Sequence, residues 1–269
     1  MEDERLCIIL YISDSSTLGK FCSPFLYGVS PYFFDKTSIL QPPSIAHLFG
    51  TDRLGRDMLS RVMEGGKNSL IIGFFASSLS ILISLKIGIW AGYYRGVVDK
   101  AITAFIDLFL TVPTFFLLLT LVAYVDITPM FLIFIVAVSS WMGTARLLRS
   151  EVYAINSKPY IKILKIAKIS DIKIILKYYA PLLSPILLIN FVFGVGGAIL
   201  AESSLSFLGL GILPPDMSWG GLLSDGKDVM DIAWWVSFFP GLMIFLVTFL
   251  LVRFAFKLQN KINAKSGAF

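Results

Sequence analysis

Five long apolar runs dominate this sequence and constrain its fold more than any other feature. They cover residues 69–94, 101–124, 129–148, 181–203 and 233–256. Each is about as long as the roughly 20 residues that an α-helix needs to cross the hydrocarbon core of a bilayer. Only 15% of all residues are charged, far below the roughly 25% of a soluble domain. We therefore predict an all-α fold, a polytopic bundle of membrane helices.

A sixth span is predicted near the N-terminus, where residues 6–29 are long enough to cross a membrane. Polar residues at 13–17 and Lys20 interrupt this segment. It is either a first helix whose polar side faces the bundle or a segment that lies at the membrane interface, and we expect the helix. The sequence then divides into an N-terminal segment at 1–40, one transmembrane domain at 41–257 and a basic tail at 258–269.

Positive charge is unevenly distributed among the connections between spans. Lysine and arginine are concentrated around the connection between the runs 129–148 and 181–203 and in the C-terminal tail, whereas residues 204–232 contain one lysine and four aspartates. Cytoplasmic loops are enriched in Lys and Arg. We therefore expect the lysine-rich loop and the C-terminus in the cytoplasm and residues 204–232 outside. The net charge of +5 follows from this topology, and we expect no nucleic-acid partner.

The densest positive charge is in residues 158–177, KPYIKILKIAKISDIKIILK. Pro159 suits a first helical turn, and Ser170 or Asp171 can cap a second helix, so two short helices with a turn between them are predicted. Lys162, Lys165 and Lys168 recur at three-residue spacing on one side, and isoleucine and leucine cover the rest. Such a segment is too apolar for a solvated loop. It could be an anchor on anionic lipid or a docking element for a groove on a partner protein.

Catalytic and metal-binding patterns are missing from the sequence. His47 is the single histidine and Cys7 and Cys22 are the only cysteines, so no zinc site is expected. No acid is evident as a partner for His47, which we expect to be solvated. Residues 221–228, GLLSDGKD, have the glycine spacing of a phosphate-binding loop but end in aspartate where Ser or Thr is needed. We expect no catalytic residue, no metal and no ATP hydrolysis by this chain.

Five motifs carry a resemblance to a known family. They are HLFGTDRLGRDMLSR at 47–61, AGYYRGVVDK at 91–100, DLFLTVPTFFL at 107–117, ILAESSLSFLGLG at 199–211 and PPDMSWGGLLSDG at 214–226. Their residues and order resemble the dipeptide/oligopeptide and nickel permease family, the inner-membrane components of binding-protein-dependent ABC importers. The resemblance extends from about residue 40 to residue 257, and the first 40 residues match poorly.

The resemblance implies a multi-pass permease of the bacterial inner membrane that moves peptides or a related small solute by alternating access. The implied partners are a second homologous permease subunit, two ATP-binding subunits, an extracytoplasmic solute-binding protein and membrane lipid. ATP and Mg²⁺ would be held by the ATP-binding subunits, so no cofactor is expected on this chain. A nickel or metal-chelate importer of the same family is one alternative, and a degenerate membrane protein with a structural or regulatory role is another. A secondary transporter is disfavoured because inverted repeats are not evident.

The resemblance also assigns a role to the lysine-rich loop, as the coupling helix that sits in a cleft of the ATP-binding subunit. The implied coupling residues are Pro159, Tyr160, Ile161, Lys162, Leu164, Lys165, Ile166, Lys168, Ile169, Ser170 and Asp171. The family usually has Glu-Ala-Ala and then a glycine in this loop. Here Lys162, Ile163, Leu164 and Lys168 occupy those positions. Either the partner ATPase carries a complementary change, or coupling is altered.

Ionisable groups within the spans are the candidates for a pathway or gate, because charge at that depth is costly. They are Glu202, with its neighbour Ser203, and Asp107. Glu202 could line a gate or contact the binding protein, but a structural role is favoured, either capping backbone amides or pairing with an arginine such as Arg53 or Arg56. Asp107, six residues before the helix-bending Pro113, is expected to hold the bundle together by pairing with an Arg or Lys.

Two further features have open interpretations. Gly194, Gly196, Gly197 and Ala198 form a smooth patch that permits close helix packing, against this chain or a partner subunit. Trp219 could contact the binding protein or could be an ordinary anchor at the membrane interface.

Overall fold

The computed structural model describes residues 29–123 and 127–266, with side chains up to residue 262, and this part of the chain is almost wholly helical. The helices are α1 (Met58–Tyr94), α2 (Gly96–Thr111), α3 (Thr114–Val122), α4 (Pro129–Asn156), α5 (Pro159–Ile166), α6 (Asp171–Ile174), a π-helical turn (Ile175–Tyr179), α7 (Ala180–Phe207), α8 (Trp219–Lys227) and α9 (Trp235–Ser266). Among these residues the β contact is an isolated bridge between Thr51 and Asp57. The all-α class is confirmed.

Four described helices are long and apolar enough to cross a membrane. They are α1, α4, the continuous stretch Asp171–Phe207 and residues Trp235–Ile262 of α9. These match four of the five predicted spans. Residues 6–28 of the predicted sixth span lie outside the described residues.

The remaining predicted span, residues 101–124, is broken in the structure. Helices α2 and α3 meet at a bend of 84°, so they form either one interrupted span or a re-entrant loop. The helix breaks at Pro113, because proline has no N–H to donate and its ring clashes with the preceding helical turn. Val112, the residue before the proline, is extended with φ −88° and ψ 125°, as expected for that position.

The described residues divide into two compact units. The first comprises the described part of Met1–Ile71 together with Glu202–Leu246, and the second comprises Ile72–Ala201 together with Val247–Phe269. Each unit has its own packing and its own polar network, and each contains one group of the predicted functional residues.

In the first unit, the turn-rich segment before α1 is fixed by charged side chains. Asp52 accepts hydrogen bonds from the backbone N–H groups of Leu54 and Arg56 and pairs with the Arg56 and Arg61 side chains. Arg61 is buried and also reaches Asp225 of α8. These contacts tie the segment to α1 and α8, which explains why α1 begins well before its apolar run.

Two local predictions in this unit are wrong. His47 is not merely solvated, because its Nδ1 atom lies 3.0 Å from the buried Asp57 carboxylate. Trp219 presents no surface to a partner or to lipid, because it is buried at 1% exposure. Its indole N–H donates to the Val62 carbonyl at 2.8 Å. Gly66 permits this packing, since a Cβ there would lie 2.7 Å from the indole ring.

In the second unit, glycines let α1 approach α4 closely. A Cβ at Gly88 would lie 2.8 Å from Leu148, and one at Gly92 would lie 2.8 Å from Val152. The residues of the predicted smooth patch on α7 differ in how closely they are packed. Gly194 packs against Ser77 of α1, whereas Gly197 has no described heavy atom within 4 Å of an added Cβ. Close packing within this chain is therefore confirmed at Gly194 and not at Gly197.

Candidate functional site

The lysine-rich loop folds as two short helices joined by a turn, as predicted. Pro159 is the first residue of α5, where its missing N–H costs no helical hydrogen bond. Ser170 occupies the position before α6, but its side chain makes no capping hydrogen bond. We call residues 159–174 the coupling hairpin, after the role that the resemblance implies.

The turn of the coupling hairpin is a Schellman motif with a lysine in the position that favours glycine. The Ile169 N–H donates to the Leu164 carbonyl at 3.2 Å, and the Lys168 N–H donates to the Lys165 carbonyl at 3.0 Å. Lys168 has φ of 53°, in the left-handed region that side chains disfavour. The loop therefore makes the bend without a glycine. Lys168 stands at the position where the family that this chain resembles has a glycine.

One face of the coupling hairpin is part of the core of the second unit. Ile161 and Ile174 are fully buried in a cluster with residues of α1, α4 and α7, and Leu164 and Ile169 pack against its edge. The buried members of the cluster are Ile89, Tyr93, Leu148, Val152, Ile155, Ile161, Ile174, Tyr179 and Leu183. The hairpin is thus fastened to the helices beneath it by apolar contacts.

The buried side-chain amide of Asn156, the last residue of α4, also holds the hairpin to the helices beneath it. Its Oδ1 atom accepts hydrogen bonds from the Tyr179 hydroxyl at 2.6 Å and from the Lys165 ammonium at 2.9 Å. Its Nδ2 group donates to the Gly92 carbonyl at 2.8 Å. One side chain therefore connects the ends of α1 and α4 to α5 and to the π-helical turn.

Tyr93 and Asp171 form a second connection. The Tyr93 hydroxyl donates to the Asp171 carboxylate at 2.5 Å, and the Lys165 ammonium lies 4.0 Å from the centre of the Tyr93 ring. Partial burial lowers the pKa of Lys165, and the nearby Asp171 carboxylate offsets part of this shift. These groups border an open cleft of about 480 Å³ that also contacts Lys168.

The opposite face of the coupling hairpin is exposed and apolar. Ile163, Ile166 and Ile172 are 64%, 80% and 71% exposed, and Tyr160 is 41% exposed. Lys162 and Lys168 are also exposed. The three lysines predicted to share one side are therefore not equivalent, because Lys165 is bound to Asn156. The exposed face thus has a strip of isoleucine beside the ammonium groups of Lys162 and Lys168.

Glu202, the first candidate for a gate, is buried at 0% exposure in the first unit. Its carboxylate accepts hydrogen bonds from the hydroxyls of Ser206 at 2.6 Å, Ser69 at 3.2 Å and Ser203 at 3.4 Å. The Ser69 hydroxyl also accepts from the Trp219 backbone N–H at 3.1 Å. The carboxylate thus connects α7 to α1 and to the start of α8.

The interpretation of Glu202 as the partner of Arg53 or Arg56 is wrong. Arg53 pairs with Asp228 at 3.0 Å, and Arg56 pairs with Asp52 at 2.7 Å. Serine hydroxyls supply the hydrogen bonds instead, because three serines of α1 and α7 lie within reach of the carboxylate and no arginine does among the described residues.

Asp107 has the basic partner that was predicted, since its carboxylate pairs with Arg146 of α4. Both side chains are about half exposed. A second pair was not predicted. Asp99 of α2 accepts two hydrogen bonds from Arg149, one of them at 2.8 Å. Together the two pairs hold α2 against α4.

Sequence reasoning missed Asn156, Tyr93 and Tyr179. Tyr93 lies in one of the quoted motifs, so it could have been singled out, but an amide at the end of an apolar run gives no signal of its own. The phosphate-loop pattern at 221–228 falls largely within α8, where a helix takes the place of a phosphate-binding loop. Within residues 29–123 and 127–266 no group of His, Cys, Asp and Glu could hold a metal ion.

Comparisons with known proteins identify the family of this chain. Residues 84–264 match the model of the family described as binding-protein-dependent transport system inner membrane component. The oligopeptide transport system permease protein OppC of Mycobacterium tuberculosis is 33% identical over 222 residues, which are 81% of this chain and 76% of the relative. OppC of Mycobacterium bovis matches equally well, with the same identity and coverage.

A solved structure shares the fold. An inward-facing form of the MetNI methionine ABC transporter matches with a TM-score of 0.54 and 16% identity, over 75% of this chain and 97% of that chain. At that identity the likeness concerns the fold alone. The family match and the two OppC relatives show that this chain belongs to the family of binding-protein-dependent transport system inner membrane components.

Proposed function

We propose that this chain is the permease subunit of an ATP-driven importer, and that the coupling hairpin receives the movement of an ATP-binding subunit. The observation that carries the proposal is the division of the hairpin into two faces. Ile161 and Ile174 are buried in the core of the second unit, whereas Ile163, Ile166 and Ile172 are exposed. A short helix with an exposed apolar strip is suited to a groove on a partner protein.

The fastening beneath the hairpin supports transmission of force. Asn156 bonds to α1, α5 and the π-helical turn, and Tyr93 bonds to Asp171. A push on the exposed isoleucines would therefore move the ends of several helices together. A hairpin resting on lipid head groups would need no such fastening, which favours the protein partner over the lipid anchor.

The charge on the exposed face points to the chemistry of the partner groove. Lys162 and Lys168 are exposed beside the isoleucine strip, and Asp171 is engaged by Tyr93. We infer that the ATP-binding subunit offers carboxylates to these lysines. The left-handed turn at Lys168 keeps the hairpin bent without a glycine, which supports a working coupling element over a degenerate one.

The remaining partners follow from the family. We propose a second permease subunit, two ATP-binding subunits that hold and hydrolyse ATP with Mg²⁺, and a solute-binding protein on the opposite side of the membrane. This chain itself would bind no cofactor. The lysine-rich hairpin and the C-terminus would be cytoplasmic, as the distribution of Lys and Arg indicates.

The cargo we propose is peptide. Both OppC relatives are named for oligopeptide transport, which favours peptide over nickel or a metal chelate. We assign Glu202, Ser203 and Asp107 to structural support of the helices, because each makes hydrogen bonds or an ion pair within the chain.

The test is ATP-dependent uptake of peptide by proteoliposomes that contain this chain with its candidate partner subunits. Replacement Ile166→Glu puts a charge into the exposed strip, so we expect uptake to fall at least tenfold while folding is kept. Ile166→Leu is the matched control, since it keeps an apolar side chain of similar volume, and we expect near-normal uptake. Normal uptake by Ile166→Glu would contradict the assignment of the hairpin.

A further inference from the structure

A small cavity lies within the second unit, among α1, α4 and α7. Its volume is about 50 Å³, and since one water needs roughly 10–15 Å³ of such space, a few waters would fill it. The walls include small residues, among them Gly194, and five polar residues with no charge. The polar residues are Ser77, Ser80, Ser140, Thr144 and Asn190.

Helical spacing explains why these residues meet. Ser77 and Ser80 are three residues apart on α1, and Ser140 and Thr144 are four apart on α4, so each pair shares a helix face. Asn190 is four residues before Gly194 on α7, on the same face. Three membrane-crossing helices thus present neutral polar groups to one space. Polar groups at such depth are costly unless they are hydrogen-bonded.

Part of the hydrogen-bonding capacity is used within the helices. The Ser77 hydroxyl donates to the Phe191 carbonyl at 2.9 Å, and the Ser140 hydroxyl donates to the Val136 carbonyl at 2.6 Å. The Asn190 amide group donates to the Ile186 carbonyl at 2.9 Å. These bonds leave the walls of the cavity richer in acceptors than in donors.

The rest of the capacity is unused within the chain. Ser80 is only 6% exposed, yet its hydroxyl has no hydrogen-bond partner among residues 29–123 and 127–266. In the same part of the chain, the Thr144 hydroxyl and the Asn190 Oδ1 atom also have none. These three groups leave donors and acceptors available to an occupant of the cavity.

We propose that this cavity is a binding site for the amide groups of a peptide during its passage through the permease. A peptide unit carries one N–H donor and one carbonyl acceptor, which complement Asn190 Oδ1 and the Ser80 and Thr144 hydroxyls. The amide is the group that all peptides share. Walls without charge, with Gly194 and other small residues, would not select among cargo side chains.

This inference rests on the proposed function, because it takes the cargo to be peptide. It adds a location on the translocation path that the sequence motifs do not include. In the absence of peptide, water would occupy the same hydrogen-bonding groups, and a passing amide would displace it. The site would therefore be wet in the resting state and shielded when cargo is present.

Cysteine accessibility tests this prediction. Ser80→Cys and Thr144→Cys are introduced separately into a chain in which Cys7 and Cys22 are replaced by serine. Each variant is assembled in proteoliposomes with its partner subunits and treated with a small water-soluble methanethiosulfonate reagent. We expect both cysteines to react, and we expect a transported peptide to slow the reaction at least fivefold. Ala145→Cys is the matched control, since Ala145 is next to Thr144 and fully buried, and it should not react.

The outcomes separate the two levels of the proposal. Failure of both cysteines to react would identify a dry packing seam, and a reaction that peptide does not slow would identify a water-filled space without cargo. Either result, in a complex that takes up peptide, overturns the cavity site alone. A complex that takes up no peptide overturns the proposed function, and the inference falls with it.

Discussion

The coupling hairpin and the surroundings of Glu202 differ in which side chains they expose and which they bury. The hairpin leaves Ile163 and Ile166 exposed. The region around Glu202 buries a carboxylate and a tryptophan and supplies each with hydrogen bonds from within the chain. An apolar strip left in the open indicates a partner, whereas a buried charge with internal hydrogen bonds indicates structural support.

The comparison also separates two kinds of polar hub. Asn156 is neutral and holds together the base of a surface that we assign to a moving partner. Glu202 is ionisable and is surrounded by serine hydroxyls that can each rotate to donate. In both regions the polar group links several helices, but only Asn156 is bonded to the element that carries the exposed isoleucines.

The largest expected effect comes from a matched pair within the hairpin. Ile161 is fully buried and Ile163 is 64% exposed, so Ile161→Ala should lower the free energy of unfolding by about 2–5 kcal/mol. Ile163→Ala should change it by less than about 0.5 kcal/mol while reducing peptide uptake. Thermal unfolding of the purified protein in detergent measures the first effect. Equal destabilisation by the two replacements would show that the hairpin does not have two distinct faces.

Glu202 gives the next effect in size. Glu202→Ala removes the acceptor of the Ser69, Ser203 and Ser206 hydroxyls, so we expect a loss of about 1–3 kcal/mol in unfolding free energy. Glu202→Gln keeps one acceptor oxygen and should cost less than Glu202→Ala. The same unfolding measurement compares them. If both variants are as stable as the wild type but fail to transport, Glu202 belongs to the gate and not to the support.

Lys168 should give the smallest effect, and one of opposite sign. Lys168→Gly relieves the left-handed conformation at φ 53°, so we expect stability to rise by about 0.5–1 kcal/mol after the entropy of glycine is counted. Lys168→Ala is the control, because it removes the charge and keeps the strain. A rise in the unfolding temperature with alanine equal to that with glycine would assign the effect to charge.

Much of the fold could be predicted from composition and spacing. The spans follow from runs of apolar residues, the break at Pro113 follows from its missing N–H, and the two-helix hairpin follows from Pro159 and the polar residues at its turn. These signals are local, so each can be recognised without knowing what packs against the segment. The role of the hairpin came from resemblance and not from periodicity.

The parts that were missed depend on contacts between distant residues. Ser69 and Glu202 are bonded although more than a hundred residues separate them in sequence, and no spacing rule connects them. Trp219 was misjudged because its burial depends on Gly66 of another helix. The cavity at Ser80 likewise requires three helices in register. Local patterns predict helices, but the partners of buried polar groups depend on how those helices pack.

The central claim, that the exposed isoleucines of the hairpin contact an ATP-binding subunit, is tested most directly by a crosslink from Ile166→Cys. The variant is made in a chain with Cys7 and Cys22 replaced and is assembled in membranes with its candidate partners. Leu82→Cys, at a 63% exposed position in α1, is the control. We predict a crosslink from position 166 to the ATP-binding subunit, with a yield that changes when ATP is added, and none from position 82. Cysteines can also be placed, one at a time, at Tyr160 and Ile163. If none of the three positions crosslinks in folded, assembled protein, the claim is contradicted.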